Sequence, residues 1–334
     1  MMTHAGRIDD RLAQYYNGTL LASLSEQLLI NLSQGEMKMF NAFQATTIND
    51  SFGRNGKILR ARQGESLSDE LIMSRCPSVF ADSKHDSRSD RFAYIPTIDM
   101  LAGMRSNGFL PVEVKQGGSK DVAKRAFTKH MIRFRRPDDK LVNVGDSVPE
   151  LIMLNAHDGT SSYQLMAGWF RLVCLNGMVT ADPKRGIDGI RITHSGNKVM
   201  DDVIEASYTV INDAQNQQAV IEDMRAIELS PGEQQAFAHS ASALRFEDDH
   251  IDTTLVSRLN APRRSEDNGN SLWLTFNRVQ ESLLRGGYRV RTTDEHNRQT
   301  SRRARPVNGI DQDLRLNKSL WLLAENMRQL KTAN

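Results

Sequence analysis

Residues 150–178 read ELIMLNAHDGTSSYQLMAGWFRLVCLNGM, and this stretch decides the fold class. Two apolar runs, Glu150–Asn155 and Tyr163–Met178, flank His157-Asp158-Gly159-Thr160-Ser161-Ser162, where Asp-Gly is a strong turn signal. A β-hairpin follows, and Asn176-Gly177 reads as a further turn. Upstream, His130-Met-Ile-Arg-Phe-Arg-Arg136 alternates, with Ile132 and Phe134 on one face and Arg133 and Arg135 on the other, before a Pro137-Asp138-Asp139 turn. It reads as a strand with an apolar side and a cationic side. Gly189–His194 adds another short strand, so the centre of the chain is expected to be an antiparallel sheet.

From Lys198 the period becomes helical. Ser230-Pro231-Gly232-Glu233 is a capping box with Pro at the first helical position, followed by the stripe Phe237, Ala241, Leu244. Ser271 precedes a helix face of Leu272, Phe276, Val279 and Leu283, which Gly286-Gly287 stops. Leu316, Leu320, Leu323 and Met327 mark a closing helix. At the other end, Leu12, Tyr16, Leu20 and Leu24 suggest helix. The expected organisation is a helical N-terminal extension over 1–45, a polar linker or loop over 46–75, and a main α+β domain over 76–330, its antiparallel sheet covered by helices. No internal repeat is visible.

The 334 residues are 39% apolar and 25% charged, which excludes global disorder. No apolar run approaches the ~20 residues of a membrane helix. The N-terminal MMTHAGRIDDRL lacks a secretory layout, and two cysteines, Cys76 and Cys174, cannot make a disulfide framework. A reducing cytoplasm and no membrane association are expected.

The net charge of +2 hides segregation. Nine Lys/Arg between Arg105 and Arg136 face two acids, Glu113 and Asp121, and eight Arg between Arg278 and Arg305 face Glu281, Asp294 and Glu295. Residues 201–228 and 247–252 are acidic. Fixed guanidinium groups with Ser, Thr and Gly between them suit a phosphate backbone, so Lys129, Arg133, Arg135, Arg136, Arg285, Arg289, Arg291, Arg302, Arg303 and Arg305 are the candidate nucleic-acid contacts. The segment 288–305 shows no apolar period and reads as a mobile arm; pairing of its charges with the acidic middle is the competing reading. Tyr288 and Phe134 are candidate base-stacking groups, or core.

Three chemical alternatives compete with this reading. His85, His130, His157 and His194, with Asp158 and Glu150, could converge on a metal, but none has a zinc-like spacing. His157, Asp158, Ser161 and Ser162 crowd one turn, where side chains point apart rather than forming a triad; Asp158 should cap its own turn. No phosphate-cradling Gly-rich loop is present. No catalytic residue, metal or cofactor is therefore assigned.

Several motifs in order carry a resemblance: Cys76-Pro-Ser-Val-Phe-Ala81, Lys84-His85, Ser87–Phe92, Ile95-Pro96-Thr97, Lys129-His130-Met131, Leu154-Asn155-Ala156-His157 through Gln164, Phe170–Gly177, Phe276–Glu281, Arg285-Gly286-Gly287 and Leu316–Trp321. From roughly Cys76 to Met327 the chain resembles the phage/plasmid-like proteins that hold domain of unknown function 932. Relatives tend to read Asn-Ser-His where this chain has Asn155-Ala156-His157. The resemblance implies a plasmid, prophage or integrative element in a bacterial cytoplasm, and transfers no catalytic residue. The expected function is a nucleic-acid-binding accessory protein of such an element, with single-stranded DNA binding, annealing or protection favoured. A protein-interaction module countering a host defence system, or a metal-dependent nuclease, are the alternatives. Partners would be nucleic acid, a host or element-encoded protein, or further copies of the chain.

Overall fold

The computed structural model describes residues 58–61, 65–87, 94–136, 147–171, 176–180, 189–192, 199–246, 251–293, 296 and 298–333, all within one compact unit spanning 50–334. The expected N-terminal helices, the Pro137-Asp138-Asp139 turn, Cys174 and His194 lie outside the described residues.

Six strands form an antiparallel meander: β1 (Ile58–Arg60), β2 (Leu110–Gln116), β3 (His130–Arg135), β4 (Ser147–Asn155), β5 (Tyr163–Arg171) and β6 (Asn176–Val179). The decisive hairpin is present, with Leu151 opposite Ala167 and Leu154 opposite Gln164. The far edge of β5 is shared between β6 at Gly168–Arg171 and β7 (Ile190–Ile192) at Tyr163–Leu165. Asn176-Gly177, read from sequence as a turn, instead opens β6, and a side-chain contact described below explains the glycine.

Both faces of this sheet are covered. Leu59, Val114, Ile132, Phe134, Leu151, Met153 and Leu165 pack under α1 (Asp69–Arg75), α2 (Thr97–Ser106) and α3 (Val199–Ala226). On the other face Met131, Ile152, Leu154, Met166 and Val179 meet Ile310 and Leu314 of α7 (Ile310–Thr332). Burial on two sides accounts for the unbroken LIML run of β4, which a one-sided strand would alternate with polar residues. A polar linker or loop was expected over 46–75, but residues 58–61 and 65–75 belong to the fold: β1 pairs with β2, and Leu67, Leu71 and Ile72 are buried, with α1 capped by Ser68 accepting from the Leu71 amide.

A third core gathers Trp169 and Met178 with the end of α3 and with α4 (Pro231–Ala243), α5 (Thr253–Asn260), α6 (Leu272–Arg285) and α7. The capping box forms: Ser230 Oγ accepts from the Glu233 amide and Glu233 accepts from the Ser230 amide. Helix α6 starts at Ser271, which accepts from the Leu274 amide, and stops at Gly286, whose φ of +61° is left-handed. A Cβ there would lie 2.6 Å from the Ala304 carbonyl oxygen. The expected mobile arm is a two-stranded antiparallel ribbon, β8 (Arg289–Thr293) with β9 (Gln299–Arg303). Tyr288, Val290 and Ala304 are buried and dock it on the third core. Three anchors in a polar run are too few to give a visible period, while Thr and Val favour the extended backbone.

Candidate nucleic-acid interface

The ten cationic residues separate into two groups. Lys129 Nζ bonds Asp311 Oδ1 at 2.7 Å, and Arg285 bonds Glu281 at 3.1 Å. Arg136 lies over the rings of Phe109 and Tyr208. Arg133, 2% exposed, bonds Glu150 at 2.9 Å and faces Glu113 at 3.8 Å, and Arg135 holds the other Glu150 oxygen at 2.7 Å while stacking on Phe170. Arg60 pairs with Glu113 from the neighbouring strand, and Lys115 with Asp313 of α7. The cationic side expected for β3 is thus internal. Two carboxylates on flanking strands neutralise it, and α7 and β6 cover that face. Burial pushes the Glu113 carboxyl up, but Arg60, Arg133 and Lys115 outweigh it and hold the group below its ordinary value. Gly177 belongs to this arrangement, because a Cβ there would come within 2.5 Å of the Arg133 guanidinium carbon.

The ribbon is different. Its register sets Arg289 opposite Arg303 and Arg291 opposite Ser301 on one face, with Val290 and Arg302 on the other. Residues directly opposite in an antiparallel pair share a face, and alternate residues repeat it. Val290 is buried, so the Arg289–Arg291–Arg303 face is the outward one, and all three are exposed. Arg289 donates to Ser301 Oγ at 2.8 Å and Arg303 Nε donates to the Gly287 carbonyl at 2.9 Å. Arg291 meets Asp252, in the second acidic segment, at 3.3 Å. Among the described residues no carboxylate pairs with Arg289, Arg302, Arg303 or Arg305. Arg302 is exposed on the Val290 side, Arg305 is exposed beyond the end of β9, and Arg245 donates to the Arg305 carbonyl. A guanidinium carries five N–H donors, so one neutral hydrogen bond orients Arg289 and another Arg303, leaving most of their donors for phosphate oxygens. Tyr288 and Phe134, considered as stacking groups, are both buried.

Two of the histidines, His130 and His157, gather elsewhere. His130 Nε2 and His157 Nε2 each lie 3.0 Å from Thr97 Oγ1, which also receives Asn155 Nδ2 at 3.0 Å. His130 Nδ1 contacts the Thr128 carbonyl at 3.3 Å and Ser78 Oγ at 3.0 Å. A carbonyl only accepts, so the proton sits on Nδ1, Thr97 donates to His130 Nε2, and Thr97 accepts from His157 Nε2–H and Asn155. All five side chains are fully buried, and they join β3, the end of β4, the start of α2 and the Pro77–Phe80 turn. Burial, together with the neighbouring His157 ring, holds His130 well below the usual histidine range against the opposing pull of the Thr128 carbonyl. Burial likewise pushes the nearby Cys76 thiol up to about 12. Among the described residues no three His, Cys, Asp or Glu side chains converge as a metal site. Asp158 caps its turn, accepting from the Thr160 amide at 3.0 Å, and the Ser161 hydroxyl donates to the Ser162 carbonyl, so no triad is assembled. Thr97 and Ser78 were invisible to residue-by-residue chemical reading; the signal was their place in the Ile95-Pro96-Thr97 and Cys76-Pro-Ser motifs.

Residues 84–321 match the model of domain of unknown function 932. The chain is similar to UPF0380 protein YfjQ of Escherichia coli (strain K12), 39% identical over 282 residues that cover 84% of this chain and 98% of the relative. UPF0380 protein YafZ of the same organism is 40% identical over 280 residues, 84% of this chain and 97% of that one. No solved structure matches. Among the described residues no helix is long and apolar enough to cross a membrane.

Proposed function

The chain belongs to the family of domain of unknown function 932, and from that premise we propose that it is a nucleic-acid-binding protein whose contact surface is the β8–β9 ribbon. The setting implied by the sequence resemblance, an accessory protein of a mobile element, is part of the same proposal. The family description names no chemistry, so the reading rests on one observation: an outward face of Arg289, Arg291 and Arg303, with exposed Arg305 beyond it, on which Arg289 and Arg303 have neutral partners and Arg291 meets Asp252. Surface arginines normally find carboxylates close by or lie scattered. Here they are aligned on a two-stranded ribbon held to the core through Tyr288, Val290 and Ala304, which lowers the ordering cost of binding a polyanion. Arg133 and Arg135 do not contribute, since they neutralise Glu113 and Glu150 inside the protein.

Fluorescence anisotropy with labelled DNA across a salt series tests this. Four phosphate contacts, from Arg289, Arg291, Arg303 and Arg305, predict a slope of log K against log salt of about −3.6, at ~0.9 per contact on duplex DNA. The variant Arg289→Ala/Arg291→Ala/Arg303→Ala should flatten that slope by about 2.7 on the same scale while melting as the parent does. Absence of salt-dependent binding, or an unchanged slope in the folded triple variant, refutes the reading and turns attention to a protein partner.

A further inference from the structure

Resting on that reading, we infer that the nucleic acid taken by the ribbon is double-stranded DNA, bound with the Arg289–Arg291–Arg303 face in the major groove. Three observations point the same way. The first is dimensional. Two antiparallel strands lie ~4.8 Å apart, and with side chains the ribbon is on the order of 10 Å across. The major groove of B-form DNA is about 12 Å wide and admits such a ribbon, whereas the minor groove is about 6 Å wide. The deep, narrow major groove of A-form RNA excludes it.

The second concerns the chemistry of the face. Single-strand binders stack successive bases on exposed aromatic rings, each worth ~1–3 kcal/mol. Between residues 288 and 305 the phenol ring, Tyr288, is buried against the core and packed edge-on with Phe246, and the imidazole, exposed His296, lies in the turn between β8 and β9 rather than on the Arg289–Arg291–Arg303 face. The outward face is guanidinium and hydroxyl: Arg289, Arg291, Ser301 and Arg303. Those groups bond phosphate oxygens and the O6 and N7 acceptors of guanine, which a duplex presents in its major groove and which need no unstacked base.

The third is spacing. Arg289 and Arg291, two residues apart on one strand, are separated by ~6.8 Å along it, and Arg289 faces Arg303 across the ribbon at ~5 Å between their Cβ atoms. A cross-strand pair of guanidiniums can therefore bridge toward the two edges of one groove, while the third reaches along it. Arg305, exposed beyond the end of β9, suits a flanking phosphate.

The test compares three probes of one sequence, 24 base pairs of DNA, the same duplex as RNA, and the single DNA strand, at fixed salt, together with dimethyl sulfate footprinting of guanine N7. The expected result is at least tenfold tighter binding to duplex DNA than to the other two, with N7 protection lost in Arg289→Ala/Arg291→Ala/Arg303→Ala. Arg289→Lys/Arg303→Lys keeps the charge and donors that still reach O6 and N7, and should retain most duplex affinity and N7 protection. Equal or tighter binding of the single strand, still dependent on the ribbon arginines, overturns the duplex assignment and leaves nucleic-acid binding standing. Duplex binding without N7 protection overturns the major-groove placement. Failure to bind any of the three removes both.

Discussion

Replacing Gly177 by Ala should be among the most damaging single-methyl changes in the sheet. The new Cβ would sit 2.5 Å from the Arg133 guanidinium carbon and from one of its terminal nitrogens. A long side chain would ordinarily swing aside at little cost. Arg133 cannot do so: it is 2% exposed, bonded to Glu150 at 2.9 Å and facing Glu113 at 3.8 Å, and its neighbour Arg135 already occupies the second Glu150 oxygen. Moving it leaves a buried carboxylate short of its partner, and breaking such a pair costs ~3–5 kcal/mol. Allowing for partial retention of the bonds, about 3 kcal/mol is expected, or a fall in Tm of roughly 6–12 °C for a unit of this size. The assay is urea unfolding of Gly177→Ala, Arg133→Met and the double variant. Shortening the obstacle should relieve the clash, so Gly177→Ala should cost less than about 1 kcal/mol in the Arg133→Met background. A mild effect in the parent, or an equal effect in both backgrounds, refutes the claim that this glycine exists to admit the guanidinium.

Two further outcomes follow from the site geometry. His130 is held neutral in the folded protein, whereas in the unfolded chain it titrates near pH 6.5; the unfolded state takes up the proton first as pH falls, so stability is full above about pH 6.5 and declines below it. Between pH 7.5 and 5.5 this one group should remove about 1 kcal/mol, read from urea midpoints, and a flat profile would show that the Thr97 bridge does not require a neutral ring. Asp158→Ala should cost ~1 kcal/mol through loss of the Thr160 amide partner and leave DNA affinity unchanged; a large affinity loss in the folded variant would place this turn at the binding surface.

Much of the architecture was legible because it rests on local chemistry. Asp158-Gly159 sets a hairpin between two apolar runs whatever surrounds them, and Ser230 with Glu233 caps a helix using atoms within one turn. The ion network was not legible. Arg133 and Arg135 alternate with Ile132 and Phe134 as an exposed cationic face would, and neither Glu113 nor Glu150 is near them in the chain. Their partners arrive only when β2 and β4 are placed on either side of β3 and α7 closes over them.

The amino-acid sequence by itself determined the α+β class, the antiparallel centre, the helix starts at Ser230 and Ser271 and the stop at Gly286, because each depends on periodicity or on contacts within a few residues. Only the tertiary structure decided which arginines face water. Burial of a charge depends on the sum of surfaces brought from distant segments, so the Arg-rich strand became an interior salt-bridge layer. The run 288–305, for want of an apolar period, looked like a loose arm and became a ribbon once Tyr288, Val290 and Ala304 found the third core. The same physics joined Ser78, Thr97, His130, Asn155 and His157. A buried hydroxyl or imidazole must find a partner wherever the fold supplies one, and here the fold supplied it from four separate elements.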